Sequence, residues 1–146
     1  MSEQNKAVVR TFIEAFSRGD ADAAAACLAP DAVAIAKGFG KISGPRPYEF
    51  IVATTRTFPE LMPTGLRPTF TSFIGEGDRV AVEFEGDATL VNGERYANQY
   101  CMVFTLEGGK IKRVHEYFCT VLADTKLGPL MEDLEAQRKA AVGAVS

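Results

Sequence analysis

The chain has 146 residues, 47% hydrophobic and 24% charged, with 16 lysines and arginines against 19 aspartates and glutamates. That length supplies about one domain, 1–146, large enough to bury a core without disulfides or a structural metal. The formal charge of -3 leaves no basic stripe to neutralise phosphates, which argues against a nucleic-acid partner.

Three scattered cysteines, Cys27, Cys101 and Cys119, fit neither a disulfide framework nor a zinc site, and their odd number suits buried thiols in a reducing compartment. Met1-Ser2-Glu3-Gln4-Asn5 lacks the basic flank and apolar run of a signal peptide. No apolar stretch approaches the ~18–20 residues that span a bilayer. The reading is a cytoplasmic protein with no membrane partner.

Val8, Val9, Phe12, Ile13 and Phe16 fall at helical spacing and predict a first helix over about 5–18, ended by Gly19. Asp20 caps a short alanine-rich helix to Leu28, stopped before Pro30. Val33 and Ile35 mark a short strand, and a glycine-rich loop follows from Gly38 to Gly44. Pro45 and Pro47 open a third helix through Tyr48, Phe50, Ile51 and Phe58, closed by Pro59 and Pro63.

From Leu66 the period changes to two. Four strands are predicted, at about 66–75, 79–90, 95–107 and 110–121, joined through Gly77-Asp78, Asn92-Gly93 and Gly108-Gly109 as an antiparallel meander. Leu127, Leu130 and Leu134 then mark a short helix after Gly128-Pro129. Helices first and a long sheet afterwards is the α+β pattern, with helices covering one sheet face.

Alternation assigns the strand residues to faces. Val80, Val82 and Phe84 share the inner face with Asn98, Tyr100, Met102, Phe104 and Leu106, and with Val114, Glu116 and Phe118. Arg113, His115, Tyr117 and Cys119 lie opposite. Glu116 is thus a carboxylate among apolar neighbours, a setting in which a proton can be moved near neutral pH. An isolated strand glutamate locked in a structural hydrogen bond is the competing reading.

Two stretches resemble a known family. Tyr96-Ala97-Asn98-Gln99-Tyr100-Cys101-Met102-Val103-Phe104, then Gly109-Lys110-Ile111 and His115-Glu116-Tyr117-Phe118, are similar to the SnoaL-like polyketide-cyclase branch of the nuclear transport factor 2-like superfamily. So are Phe12-Ile13-Glu14-Ala15-Phe16, Gly19-Asp20 and Leu28-Ala29-Pro30-Asp31-Ala32-Val33. The resemblance implies a half-conical fold with N-terminal helices on the concave face of a curved antiparallel sheet. It also implies a deep pocket and a homodimer formed through sheet faces.

Relatives in that superfamily differ in chemistry, so residues carry over one at a time. The ketosteroid isomerases' catalytic aspartate matches Ala36 here, and their oxyanion-hole tyrosine and aspartic acid match Phe12 and Met102, so that reaction is not expected. The epoxide hydrolases' arginine and second aspartate would fall where Val80, Val82 and Phe84 stand. The cyclases' single acid/base carboxylate matches Glu116, with Asn98 and Tyr100 as its hydrogen-bond partners or as donors to a substrate oxygen. Phe12, Phe16, Tyr48, Val82, Phe84, Met102, Phe104, Val114 and Phe118 are then the expected ligand-lining residues.

Other signals carry less. Gly38, Gly40 and Gly44 match neither the dinucleotide fingerprint nor the phosphate loop. His115 is the one histidine, which excludes a multi-imidazole metal site, and Cys119 lies with it opposite Glu116. Arg56 on the third helix could reach the pocket mouth. The leading expectation is cofactor-free and metal-free acid/base chemistry on a small, mostly apolar, oxygenated molecule, an isomerisation or cyclisation. The alternatives are a non-catalytic carrier or sensor of a hydrophobic ligand, and a dimerisation module whose pocket is merely core.

Overall fold

The computed structural model describes residues 2–145. Helix α1 (Ser2–Ser17) buries Val9, Phe12, Ile13 and Phe16, the stripe its spacing predicts. Gly19, at φ +78°, turns the chain, and a Cβ there would stand 2.4 Å from Pro59 Cγ. The missing side chain lets the end of α1 touch the third helix. Asp20 accepts a hydrogen bond from Ala23 N and caps α2 (Ala21–Ala26).

β1 (Leu28–Ala36) begins earlier than expected and runs through Pro30. Its pairing is irregular between Leu28 and Val33, so the proline's missing N–H breaks no ladder bond. β2 (Gly44–Pro47) replaces the expected helix start and is an edge strand antiparallel to β1. An edge is where a sheet tolerates two prolines. α3 (Tyr48–Leu61) follows at once and carries Pro59 in its last turn instead of stopping before it.

The predicted meander is present as β3 (Thr69–Glu76), β4 (Arg79–Thr89), β5 (Arg95–Glu107) and β6 (Lys110–Phe118). It is four strands of a six-stranded sheet in the order β2-β1-β6-β5-β4-β3. All neighbours are antiparallel except β1 and β6, which run parallel. The result is an α+β half-cone, with helices on the concave face of a curved, unclosed sheet. Val80, Val82, Phe84, Phe104 and Val114 join Val9, Phe12, Ile13 and Phe16 of α1 there in one core.

The last helix departs most from expectation. α4 (Thr120–Val145) begins well before Gly128-Pro129 and runs through that pair. Its first turn is capped by Cys119, whose Sγ accepts from Leu122 N at 3.5 Å, so the last strand stops at Phe118. Of the thiols, Cys27 is buried but Cys119 is exposed, against the reading of all three as interior groups. Among the described residues, no helix is long and apolar enough to cross a membrane.

Candidate functional site

Between the concave face of the sheet and helices α1, α3 and α4 lies a cavity of about 540 Å³. Phe12 and Phe16 of α1, Phe58 and Leu61 of α3, and Phe84, Met102 and Phe118 of the sheet make its walls. Leu127, Met131 and Leu134 of α4 close one side, and Lys41, Glu135 and Arg138 stand among the apolar groups. Tyr100 stacks on Phe84 with ring centroids 4.8 Å apart, and Phe118 packs on Tyr100 at 5.7 Å.

Glu116 is 5% exposed and lines this cavity. Its Oε1 accepts a hydrogen bond and ion pair from Arg46 Nη2. The sheet order explains the meeting. Arg46 on β2 is in register with Ala34, and Glu116 on β6 with Ala36, so β1 separates them. Strands two apart in a sheet are roughly 9–10 Å apart, and the methyl groups of two alanines leave room for both long side chains to cross.

The pair is only partly closed. Among the described residues Glu116 Oε2 has no hydrogen-bond partner and is not sealed from solvent, and the side chain lines the cavity. Arg46 Nη1 likewise has no partner among those residues and is not sealed, whereas Arg46 Nε is sealed and has none. Burial pushes the Arg46 guanidinium below its ordinary range. An ion pair half in apolar surroundings carries a desolvation cost that a single hydrogen bond does not fully offset.

A second polar group sits along the same face. Asn98 Nδ2 donates to Tyr96 Oη at 2.8 Å and to the Cys119 carbonyl at 3.1 Å. Its Oδ1 accepts from Gln99 N at 2.8 Å and Cys119 N at 3.3 Å. Tyr96 and Tyr100 hydroxyls are 3.3 Å apart. Two O–H groups sharing one hydrogen bond leave one proton without an acceptor, and both phenols line the cavity. Burial raises both above the ordinary 10.0, Tyr100 well above it, so both stay protonated donors at neutral pH.

The expected residues therefore divide. Glu116, Tyr100, Phe12, Phe16, Phe84, Met102 and Phe118 line one cavity. Val82, Phe104 and Val114 are core behind its wall, and Tyr48 packs against the core; none of the four lines the cavity. Nor does Arg56. Asn98, expected as a partner of Glu116 or a substrate donor, is instead bonded to Tyr96, to the Gln99 amide and to the backbone of Cys119 at the start of α4. The strand's end at Phe118 causes that reversal.

Sequence reading missed Arg46, and with it the wall from α4. An arginine between two prolines reads as a helix start, and nothing local says that it faces a carboxylate 70 residues away. The glycine loop's amides are filled from within the chain. Asp124 accepts from Lys41 N at 2.8 Å and Ile42 N at 3.1 Å. Among the described residues, no three His, Cys, Asp or Glu side chains gather as metal ligands.

Comparison with known proteins adds a family. The chain is similar to a nuclear transport factor 2-like protein of unknown function from Burkholderia pseudomallei, with 25% identity, a TM-score of 0.72, and 84% of this chain and 96% of that one covered. A putative isomerase from Bacillus subtilis superposes with a TM-score of 0.73 at 19% identity, over 86% of this chain and 94% of that one. An epoxide hydrolase of the LEH-like kind from M. tuberculosis does so with a TM-score of 0.69 at 20% identity, over 92% and 98%. At those identities the last two show the fold alone. A search of curated proteins gave no match. The model of the SnoaL-like domain matches residues 9–114, ending two residues before Glu116. With most of its length matched, the chain belongs to the SnoaL-like domain family.

Proposed function

We propose that the cavity is a catalytic pocket in which Glu116 moves a proton on a small, mostly apolar, oxygenated molecule, in an isomerisation or cyclisation. The observation that carries this reading is the half-used carboxylate: Oε1 is held by Arg46, Oε2 has no partner among the described residues, and the side chain lines the cavity. Tyr100 donates to Tyr96, so one hydroxyl proton of the pair is left for a ligand oxygen, and the Asn98 bond to Tyr96 fixes that pair from behind. Proton transfer next to a carbonyl can run on a carboxylate and such donors.

The test is a screen of enolisable ketones and lactones in D2O, following α-deuteration by NMR, with Glu116→Gln as the control. Loss of about 10²–10⁴-fold in rate with binding retained is the expected outcome. Equal exchange in both proteins would eliminate the proton-transfer reading. A carrier is the rival, and the mostly apolar lining favours it; it predicts a bound ligand and no exchange in either protein. A space of 540 Å³ that the side chains leave open speaks for a ligand of some kind, against a cavity that is merely core. For assembly we propose a homodimer through the convex sheet face, where Ile74 and Tyr117 remain 64% and 44% exposed.

A further inference from the structure

Arg46 does more in this site than steady Glu116. Its guanidinium gives one donor, Nη2, to Glu116 Oε1 and leaves another, Nη1, without a partner among the described residues, on a side chain that lines the cavity. Glu116 likewise leaves Oε2 without a partner among them. An acceptor and a cationic donor, each without a partner among the described residues, are thus joined by one bond on two side chains that line one cavity. In a carbonyl compound the acidic C–H and the carbonyl oxygen are separated by two bonds, so a base and a donor that engage them together must be immediate neighbours. An ion pair with one free atom on each side supplies that spacing, and the two alanines of β1, Ala34 and Ala36, keep side chains out of it.

We infer that Arg46 is the oxygen-binding residue of the site and that its substrate class is a neutral carbonyl compound acidic at the α-carbon, an inference that rests on the proton-transfer role of Glu116. The carbonyl oxygen accepts from Arg46 Nη1 while Glu116 Oε2 takes the α-proton. The C–H electron pair becomes the C=C bond of an enolate, and the carbonyl π pair moves onto the oxygen held by the guanidinium. Return of the proton from Glu116 to the same or another carbon restores the carboxylate, with nothing else consumed. Charge selects a neutral substrate over a carboxylate here. A ligand anion on Arg46 would place a second negative charge against Glu116, whereas a ketone oxygen becomes negative only as Glu116 gives up its charge. Tyr100 lies diagonally across β5 and β6 from Glu116, since Tyr100 pairs with Phe118 and Met102 with Glu116. Its hydroxyl is therefore placed for a second oxygen or for the far end of the molecule.

The test uses 2-tetralone and tetralin, which share a bicyclic body and differ by one carbonyl. Binding to the wild type, Arg46→Lys and Arg46→Met is measured by ligand-observed NMR, beside α-deuteration of 2-tetralone in D2O. The wild type should favour the ketone by on the order of tenfold, the worth of one charge-assisted hydrogen bond, and Arg46→Met should lose that preference while still binding tetralin. Arg46→Lys should recover part of it. A wild type that does not prefer the ketone, or a preference unchanged in Arg46→Met, overturns the inference. Should Arg46→Met not fold, the guanidinium 15N signals of wild-type Arg46 decide: they should shift with 2-tetralone and stay still with tetralin, and identical responses overturn it. Failure of Glu116 is separate, because it appears as deuteration that Glu116→Gln does not slow, whatever the binding ratio.

Discussion

Two buried polar side chains on the concave face of the sheet are engaged in opposite ways. Glu116 has one ion-pair partner and an open oxygen, while Asn98 makes four hydrogen bonds and has no capacity left. Asn98→Ala should cost about 2–3 kcal/mol in urea unfolding, because the Gln99 amide on β5 and the amide and carbonyl of Cys119 lose their partner together. Glu116→Ala should cost about 3 kcal/mol by the same measurement, since it strands the Arg46 guanidinium, whose side chain is only 24% exposed. Adding Arg46→Met to Glu116→Ala should recover part of that loss, which a sum of independent effects would not give. Strand alternation alone makes the face and apolar setting of Glu116 legible, and the same alternation sets Asn98 and Tyr100 beside it. It does not say which of them is already bonded, because the partners of Asn98 lie on Tyr96 and on the chain at Cys119, where the period-two pattern runs on past the true end of the strand.

At the level of elements, α4 is the least predictable and closes much of the cavity. Pro129 withholds an N–H in mid-helix and Gly128 precedes it, so the helix is weakest there. Below that point Asp124 ties it to the loop amides of Lys41 and Ile42; above it Arg138 bonds Glu60 at 2.6 Å and Thr57 at 3.3 Å on α3. Arg138→Ala should speed amide hydrogen exchange over residues 130–142 and leave residues 120–127 as they were. A uniform change along the whole helix would mean that Gly128-Pro129 does not divide it. Sequence reading places the helix after Gly-Pro because those residues punctuate chains, but a cap on Cys119 Sγ and two tertiary bonds to Asp124 start it earlier. β2 is hidden for a similar reason: two prolines in four residues look like a helix entrance, and their tolerance as a strand depends on an edge that only the assembled sheet defines.

For the whole molecule, the convex face carries the chain's one histidine. His115 pairs in register with Ile35 and Val103. Its pKa is lowered from the ordinary 6.5, first by burial and then by the cations of Lys37, Arg113 and Arg79. The folded protein therefore binds this proton less readily than the unfolded chain does. The contribution is complete above pH 6.5 and is lost as pH falls through the lower folded value. Thermal melts should show Tm falling between pH 7 and pH 5, with a shallower fall in His115→Gln; parallel curves would assign the dependence to other groups. The α+β class, the four-stranded meander and the helices on its inner face are all legible from periodicity and turn residues. The parallel ladder between β1 and β6 is not, for it joins the first third of the chain to its last.

That ladder also dictates when the cavity can come into being. Lys112 reaches Asp31 and Arg46 reaches Glu116 across 81 and 70 residues of sequence, so these contacts close only after β6 has left the ribosome. Until then β1 and β2 have no sheet to join, and Arg46 stands on an unpaired hairpin. Loops of that size are slow to close, which places assembly of the site among the late events of folding. A nascent chain released before Lys110 would hold the first three helices and three of the meander's four strands, with an exposed apolar concavity and no carboxylate to receive the arginine.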